Sequence, residues 1–159
     1  MSMSYWMIEG IGIAADKVYP HLDGKKVAWL LHEQFTDDER IAEIVNSGRY
    51  ENLNLNPCVY LDAGVNLEDF FHGKCFDGGL GDLLCHCDGT DTLTFCDDGV
   101  GNEYFYYPPS MPWHRTDTEP DSAEEVHRRI IKAVQKVANL TDAEIDAMID
   151  DDLYEVGCV

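Results

Sequence analysis

The residues of this 159-residue chain best suited to chemistry are four thiols and an imidazole: Cys75, Cys85, His86, Cys87 and Cys96. Soft thiolates with one imidazole suit a zinc ion. The spacing is short for a zinc knuckle, because Cys85 and Cys87 have one residue between them where C-x₂₋₄-C is usual. Residues 83–87 and 92–96 read as two strands flanking an Asp-Gly turn. On a strand, Cys85 and Cys87 share a face and His86 points away. In that hairpin Cys96 lies on the same face, so Cys85, Cys87 and Cys96 could hold zinc. They serve equally as small apolar core residues, since unpaired Cys is among the most buried types. The core reading is preferred, with no cofactor. The alternation that separates Cys85 from His86 also removes them as a nucleophile–base pair.

Gly10-Ile11-Gly12-Ile13-Ala14-Ala15 has the form G-x-G-x-x-A after an apolar run. In a dinucleotide fold such a turn opens a helix that holds a pyrophosphate. Pro20 follows too soon for that helix, so the motif reads as a glycine-tolerant strand end. The Asp-rich turns at 88–91 and 97–103 lack the ligand order of an EF-hand. No G-x-S-x-G, H-E-x-x-H or P-loop pattern occurs. The sequence therefore predicts a protein that is not an enzyme.

Charge is the strongest signal. The chain carries 31 acidic and 11 basic residues, a formal net charge of −20. Residues 75–107 hold seven acids (Asp77, Asp82, Asp88, Asp91, Asp97, Asp98, Glu103) and no Lys or Arg. Residues 139–159 hold seven more (Asp142, Glu144, Asp146, Asp150, Asp151, Asp152, Glu155), again without a base. Such a field repels nucleic acid and anionic membranes and attracts basic protein surfaces. The candidate contact residues are Asp88, Asp91, Asp97, Asp98, Glu103, Asp146, Asp150, Asp151, Asp152 and Glu155. The alternative surface is an aromatic lip of Tyr104, Tyr106, Tyr107 and Trp113. With Arg115 its nearest base, this lip is a poor single-strand platform, because stacked bases need cations beside them. Arg128, Arg129, Lys132 and Lys136 form the one dense basic group and are expected to pair with the acidic blocks.

The elements that must position these residues read as one α+β domain spanning 1–159. Hydrophobic residues make up 45% of the chain, too many for a disordered acidic tail. Residues 5–13 predict a strand. Residues 24–34 predict a helix with Val27, Leu30 and Leu31 on one face. Capping boxes at 36–39, 122–125 and 141–144 predict three more helix starts. The second carries Val126, Ile130, Val134 and Val137 on one face, and the third carries Ile145, Met148 and Ile149. Residues 57–61 predict a short strand and 67–71 a helical turn. Residues 83–107 predict a β-meander, and Asp150–Asp152 a helix end. The fold expected is thus an antiparallel meander plus the N-terminal strand, covered by amphipathic helices.

No basic n-region or long apolar run opens the chain, so a cytoplasmic location with reduced thiols is expected. Residues 5–13, Tyr-Trp-Met-Ile-Glu-Gly-Ile-Gly-Ile, and 150–157, Asp-Asp-Asp-Leu-Tyr-Glu-Val-Gly, resemble small proteins of gut-bacterial phages and mobile elements. The small, acidic, motif-free profile is also similar to anti-CRISPR and other anti-defence inhibitors. That resemblance implies a nucleic-acid mimic that occupies the basic channel of a defence nuclease or another nucleic-acid-binding protein. The other readings are a zinc-stabilised module built on residues 75–96, and a soluble protein whose charge serves solubility alone.

Overall fold

A computed structural model describes residues 2–56, 64–74, 76, 78–88, 92–109, 120 and 122–159. The apolar, glycine-containing N-terminal run forms strand β1 (Tyr5–Ala14), as its pattern predicts. Two 3₁₀ turns follow, Ala15–Lys17 and Tyr19–His21, where Pro20 blocks a longer helix.

Helix α1 (Gly24–Gln34) begins where the Asp23 carboxylate accepts from the Lys26 N–H at 3.0 Å. It buries Val27, Ala28, Leu30 and Leu31. Helix α2 (Glu39–Ser47) is capped by Asp38, not by Thr36 of the expected box. The Asp38 carboxylate is buried, and Arg40 and Lys74 each reach it at 3.0 Å. That double salt bridge fixes Asp38 at the helix start. Strands β2 (Leu53–Asn54) and β3 (Val65–Asn66) make one short parallel pair, and α3 (Leu67–Gly73) follows directly. The strand expected at 57–61 lies outside the described residues.

Residues 83–87 are not a strand. They belong to helix α4 (Gly79–Asp88), so the first hairpin of the expected meander does not exist. The buried residues Leu80, Leu83 and Leu84, with half-buried Cys87, follow the i, i+3, i+4, i+7 rule of a helix face. A five-residue window hid that period. The second hairpin is present: β4 (Thr94–Asp97) pairs with β5 (Glu103–Tyr107) across the turn at 98–102.

Helix α5 (Ala123–Gln135) is capped by the Ser122 hydroxyl, and α6 (Asp142–Met148) carries a complete Thr141–Glu144 capping box. Asp150–Asp152 do not end a helix. They open strand β6 (Asp150–Cys158), which pairs antiparallel with β1. The sheet is antiparallel throughout, in the order β4–β5–β1–β6. The α+β class and the helix-covered antiparallel sheet are as the sequence predicts.

Alternation divides the sheet into two faces. Ile11, Ile13, Phe105 and Tyr107 join the main core with the helices, including Val126, Ile130 and Val134 of α5. Ile8, Tyr106 and Leu153 form a second cluster with half-buried Trp6, Cys96 and Tyr104. This second cluster is enclosed because the sheet curls. The Trp6 indole donates to the Asp97 carbonyl at 2.8 Å, and the Cys158 N–H donates to the Asp98 carbonyl at 3.2 Å. The far end of β6 therefore meets the β4–β5 turn. The curl depends on Gly10 and Gly12, where the β1–β6 register shifts. A Cβ on Gly10, at φ +144°, would overlap the Tyr107 carbonyl, and one on Gly12 would overlap the Phe105 carbonyl. The G-x-G motif is thus a strand interior where neighbouring backbone comes close.

Candidate binding surface

Helix geometry disperses the proposed metal donors. On α4, Cys85 and Cys87 stand two residues apart, roughly 200° around the axis, so they share no face. Both pack at the border of the main core, whereas Cys96 sits in the second cluster across the sheet. The shared thiol face is therefore corrected. Among the described residues no three His, Cys, Asp or Glu side chains gather as a metal site. Burial pushes the Cys85 thiol up to about 12, reinforced by Asp82 and Asp88. Cys87 and Cys96 are also raised, chiefly by burial. The raised values keep these thiols protonated at neutral pH, which disfavours nucleophilic attack by them.

The aromatic lip is also reassigned. Tyr106 and Tyr107 are buried, one on each face of β5, because successive strand residues alternate. Tyr104 is half-buried in the second cluster, and Trp113 lies outside the described residues. The Tyr107 hydroxyl donates to Asp88 at 2.8 Å.

The acidic candidates divide by what they already hold. Asp97 accepts from the Gly99 N–H, and Asp98 accepts from the Val100 and Asn102 N–H groups. The Asn102 side chain, followed by Val100, holds the Asp98 carboxyl below the usual carboxylate range. These two acids build their own turn. Glu103 stands opposite Asp97 and accepts from the Tyr19 hydroxyl at 3.0 Å. Asp91 lies outside the described residues. Asp146 and Asp151 clasp His127 of α5 at 2.7 and 2.5 Å. Asp150 accepts from the Asp152 N–H. The side-chain carboxylates of Asp152 and Glu155, together with that of Glu9 on β1, have no hydrogen-bond or ion-pair partner among the described residues.

The curl brings the two acidic blocks together. Burial raises the Tyr104 hydroxyl, and Glu155, Asp98 and Asp16 add to the rise. One ring thus senses acids from both blocks. At the other end of β6, Asp151 and Asp152 share with Glu9 the wall of a cavity of about 720 Å³. Tyr107, Pro108 and Tyr154 line the same cavity. Arg128 and Arg129 both reach Glu125 within α5, and Lys136 donates to the Cys87 carbonyl. Among the described residues no ion pair joins them to either acidic block.

Sequence reasoning missed the His127 clasp and the β6 edge. A lone His on an amphipathic helix gives no signal of its own, since both partners lie on other elements. Strand β6 gives little more, because, of its inward positions Leu153, Glu155 and Gly157, only Leu153 is a large apolar residue. Among the described residues no helix is long and apolar enough to cross a membrane. Family models, curated proteins and solved structures yield no match to this chain.

Proposed function

We propose that this chain is a non-enzymatic binding protein that covers a basic, nucleic-acid-binding surface of another protein, such as a nuclease. One observation carries the reading. Acids of both base-free blocks, Asp97, Asp98 and Glu103 from the first and Asp150, Asp151, Asp152 and Glu155 from the second, lie along a single curled sheet, with Asp98 beside the far end of β6. The nine residues of β6 extend about 30 Å, close to one helical turn of duplex DNA at about 34 Å. A carboxylate array of that length offers Lys and Arg rows the charge that phosphates would offer. The carboxylates of Asp152, Glu155 and Glu9 face solvent without partners among the described residues, so an incoming cation displaces no bond made there. The protein itself binds neither DNA nor RNA, acts in the cytoplasm and uses no cofactor.

The test is displacement. Labelled duplex is bound to a panel of basic nucleic-acid-binding proteins, nucleases included, and this protein is added at about 50 and about 200 mM salt. The expected result is release of duplex from at least one member at low salt, weakened at high salt and lost with Glu9→Lys/Asp152→Lys/Glu155→Lys. Release from no member overturns the proposal, as does equal release by wild type and the triple variant.

A further inference from the structure

The register of β6 shows which backbone groups are open. Ser4 and Val159 exchange both N–H···O bonds, each 3.0 Å. Alternation then turns the backbone of Gly157, Glu155 and Leu153 toward β1, and that of Cys158, Val156, Tyr154 and Asp152 outward. The Cys158 N–H bond to Asp98 confirms the direction. The Asp152 N–H is satisfied by the Asp150 carboxylate. Tyr154 and Val156 remain, each with an N–H and a C=O aimed off the sheet and without a partner among the described residues.

The side chains beside this open edge are apolar and exposed. Met7 stands opposite Val156, Tyr5 opposite Cys158 and Glu9 opposite Tyr154, so all six share one face. On that face Tyr5 is 66% exposed, Met7 51%, Tyr154 58% and Val156 53%. A contiguous strip of this kind on a small acidic protein marks an interaction surface. Glu9 and Tyr154 lead from the strip into the 720 Å³ cavity with Asp151 and Asp152 on its wall.

We propose that this edge takes an extended segment of a partner protein, one that alternates apolar residues with Lys or Arg. The segment adds a strand to β6 at Tyr154–Val156. Its apolar side chains lie on Met7, Tyr154 and Val156, and its cationic side chains, on the opposite face of the added strand, lie beside Glu155. Main-chain bonds supply affinity in such strand addition, and alternate side chains supply specificity. Charge selects the occupant: two copies of a −20 chain repel each other, whereas a basic segment is attracted. The inference rests on the reading that the partner is basic, and it adds where and in what conformation that partner binds.

The probes are two blocked peptides of about ten residues and equal charge, one alternating Arg and Val, the other Arg and Pro, which cannot form a strand. Wild type is expected to bind the Arg–Val peptide at least tenfold more tightly. Val156→Pro removes an outward N–H and spares pairing with β1, so circular dichroism stays unchanged. It should bind both peptides with the weaker affinity. Met7→Lys/Val156→Lys, which leaves the backbone free to pair, should also lose the preference. Equal binding of both peptides by wild type, or an undiminished preference in Val156→Pro, overturns the edge proposal while the acidic-surface reading stands. If Glu9→Lys/Asp152→Lys/Glu155→Lys binds both peptides as wild type does, the acidic-surface reading itself fails. A wild-type dimer in sedimentation that Val156→Pro makes monomeric assigns the edge to a second copy and overturns the proposal.

Discussion

At the residue scale, the functional value of an acid is set by whether it already has a partner. His127 commits two of the proposed contact acids, Asp146 and Asp151, to tying α5, α6 and β6 together. The bonds from Asp146, then Asp151, favour the charged imidazolium and raise its pKa above the ordinary value near 6.5. A raised pKa means the folded chain holds the proton more tightly than the unfolded chain. The stabilisation is therefore full below about pH 6.5 and is lost as pH rises through the folded value. The melting-temperature difference between wild type and His127→Gln should be largest near pH 6 and shrink toward pH 9. A difference that is flat or grows with pH would exclude the clasp. Asp38 shows the opposite sign. Burial opposes its charge, but the bonds from Arg40 and Lys74 outweigh burial and hold the carboxyl well below the usual range. Its contribution is present at neutral pH and is lost only in acid.

At the element scale, Gly10 and Gly12 decide the shape of the sheet. Gly12→Ala places a methyl against the Phe105 carbonyl and the Tyr106 side chain, where backbone cannot yield cheaply. The expected cost is about 1–3 kcal/mol, read by urea denaturation, with Trp6 fluorescence reporting loosened curl. An unchanged midpoint would show that the curl does not depend on this close approach. Much of the element pattern is legible in the chain. Val126, Ile130 and Val134 do form the buried face of α5, Val137 is buried in the turn just past its end, and Thr141–Glu144 does cap α6. The failures have physical causes. Residues 83–87 match a strand over five positions, but Leu80 and Gly81 extend the apolar period to helical spacing. Gly81 also seats the Phe95 ring against α4. Strand β6 is hidden because its inward positions, Leu153, Glu155 and Gly157, are not uniformly apolar. Glu155 sits opposite Ile8 at the open rim, and Gly157 leaves space for the Trp6 indole. The aromatic lip fails because β5 is an interior strand of the sheet, and both of its faces are covered.

At the scale of the whole molecule, composition alone gives the sign and size of the field, while only the fold gives its arrangement. The two base-free blocks are separated by some thirty residues of sequence. Long-range pairing of β6 with β1, together with the curl, sets them side by side, and no local pattern encodes that. The arrangement costs self-repulsion. The proposed role of this concentrated charge is to steer a basic protein surface onto β6 and its neighbours. The most direct measurement is the association rate with a protein whose duplex is displaced, followed by stopped flow from about 50 to about 200 mM salt. Wild type should associate fast at low salt and slow steeply as salt rises. Glu9→Lys/Asp152→Lys/Glu155→Lys should associate at least tenfold more slowly at low salt, with a shallower salt dependence. Equal rates and equal salt slopes for the two proteins would contradict the account.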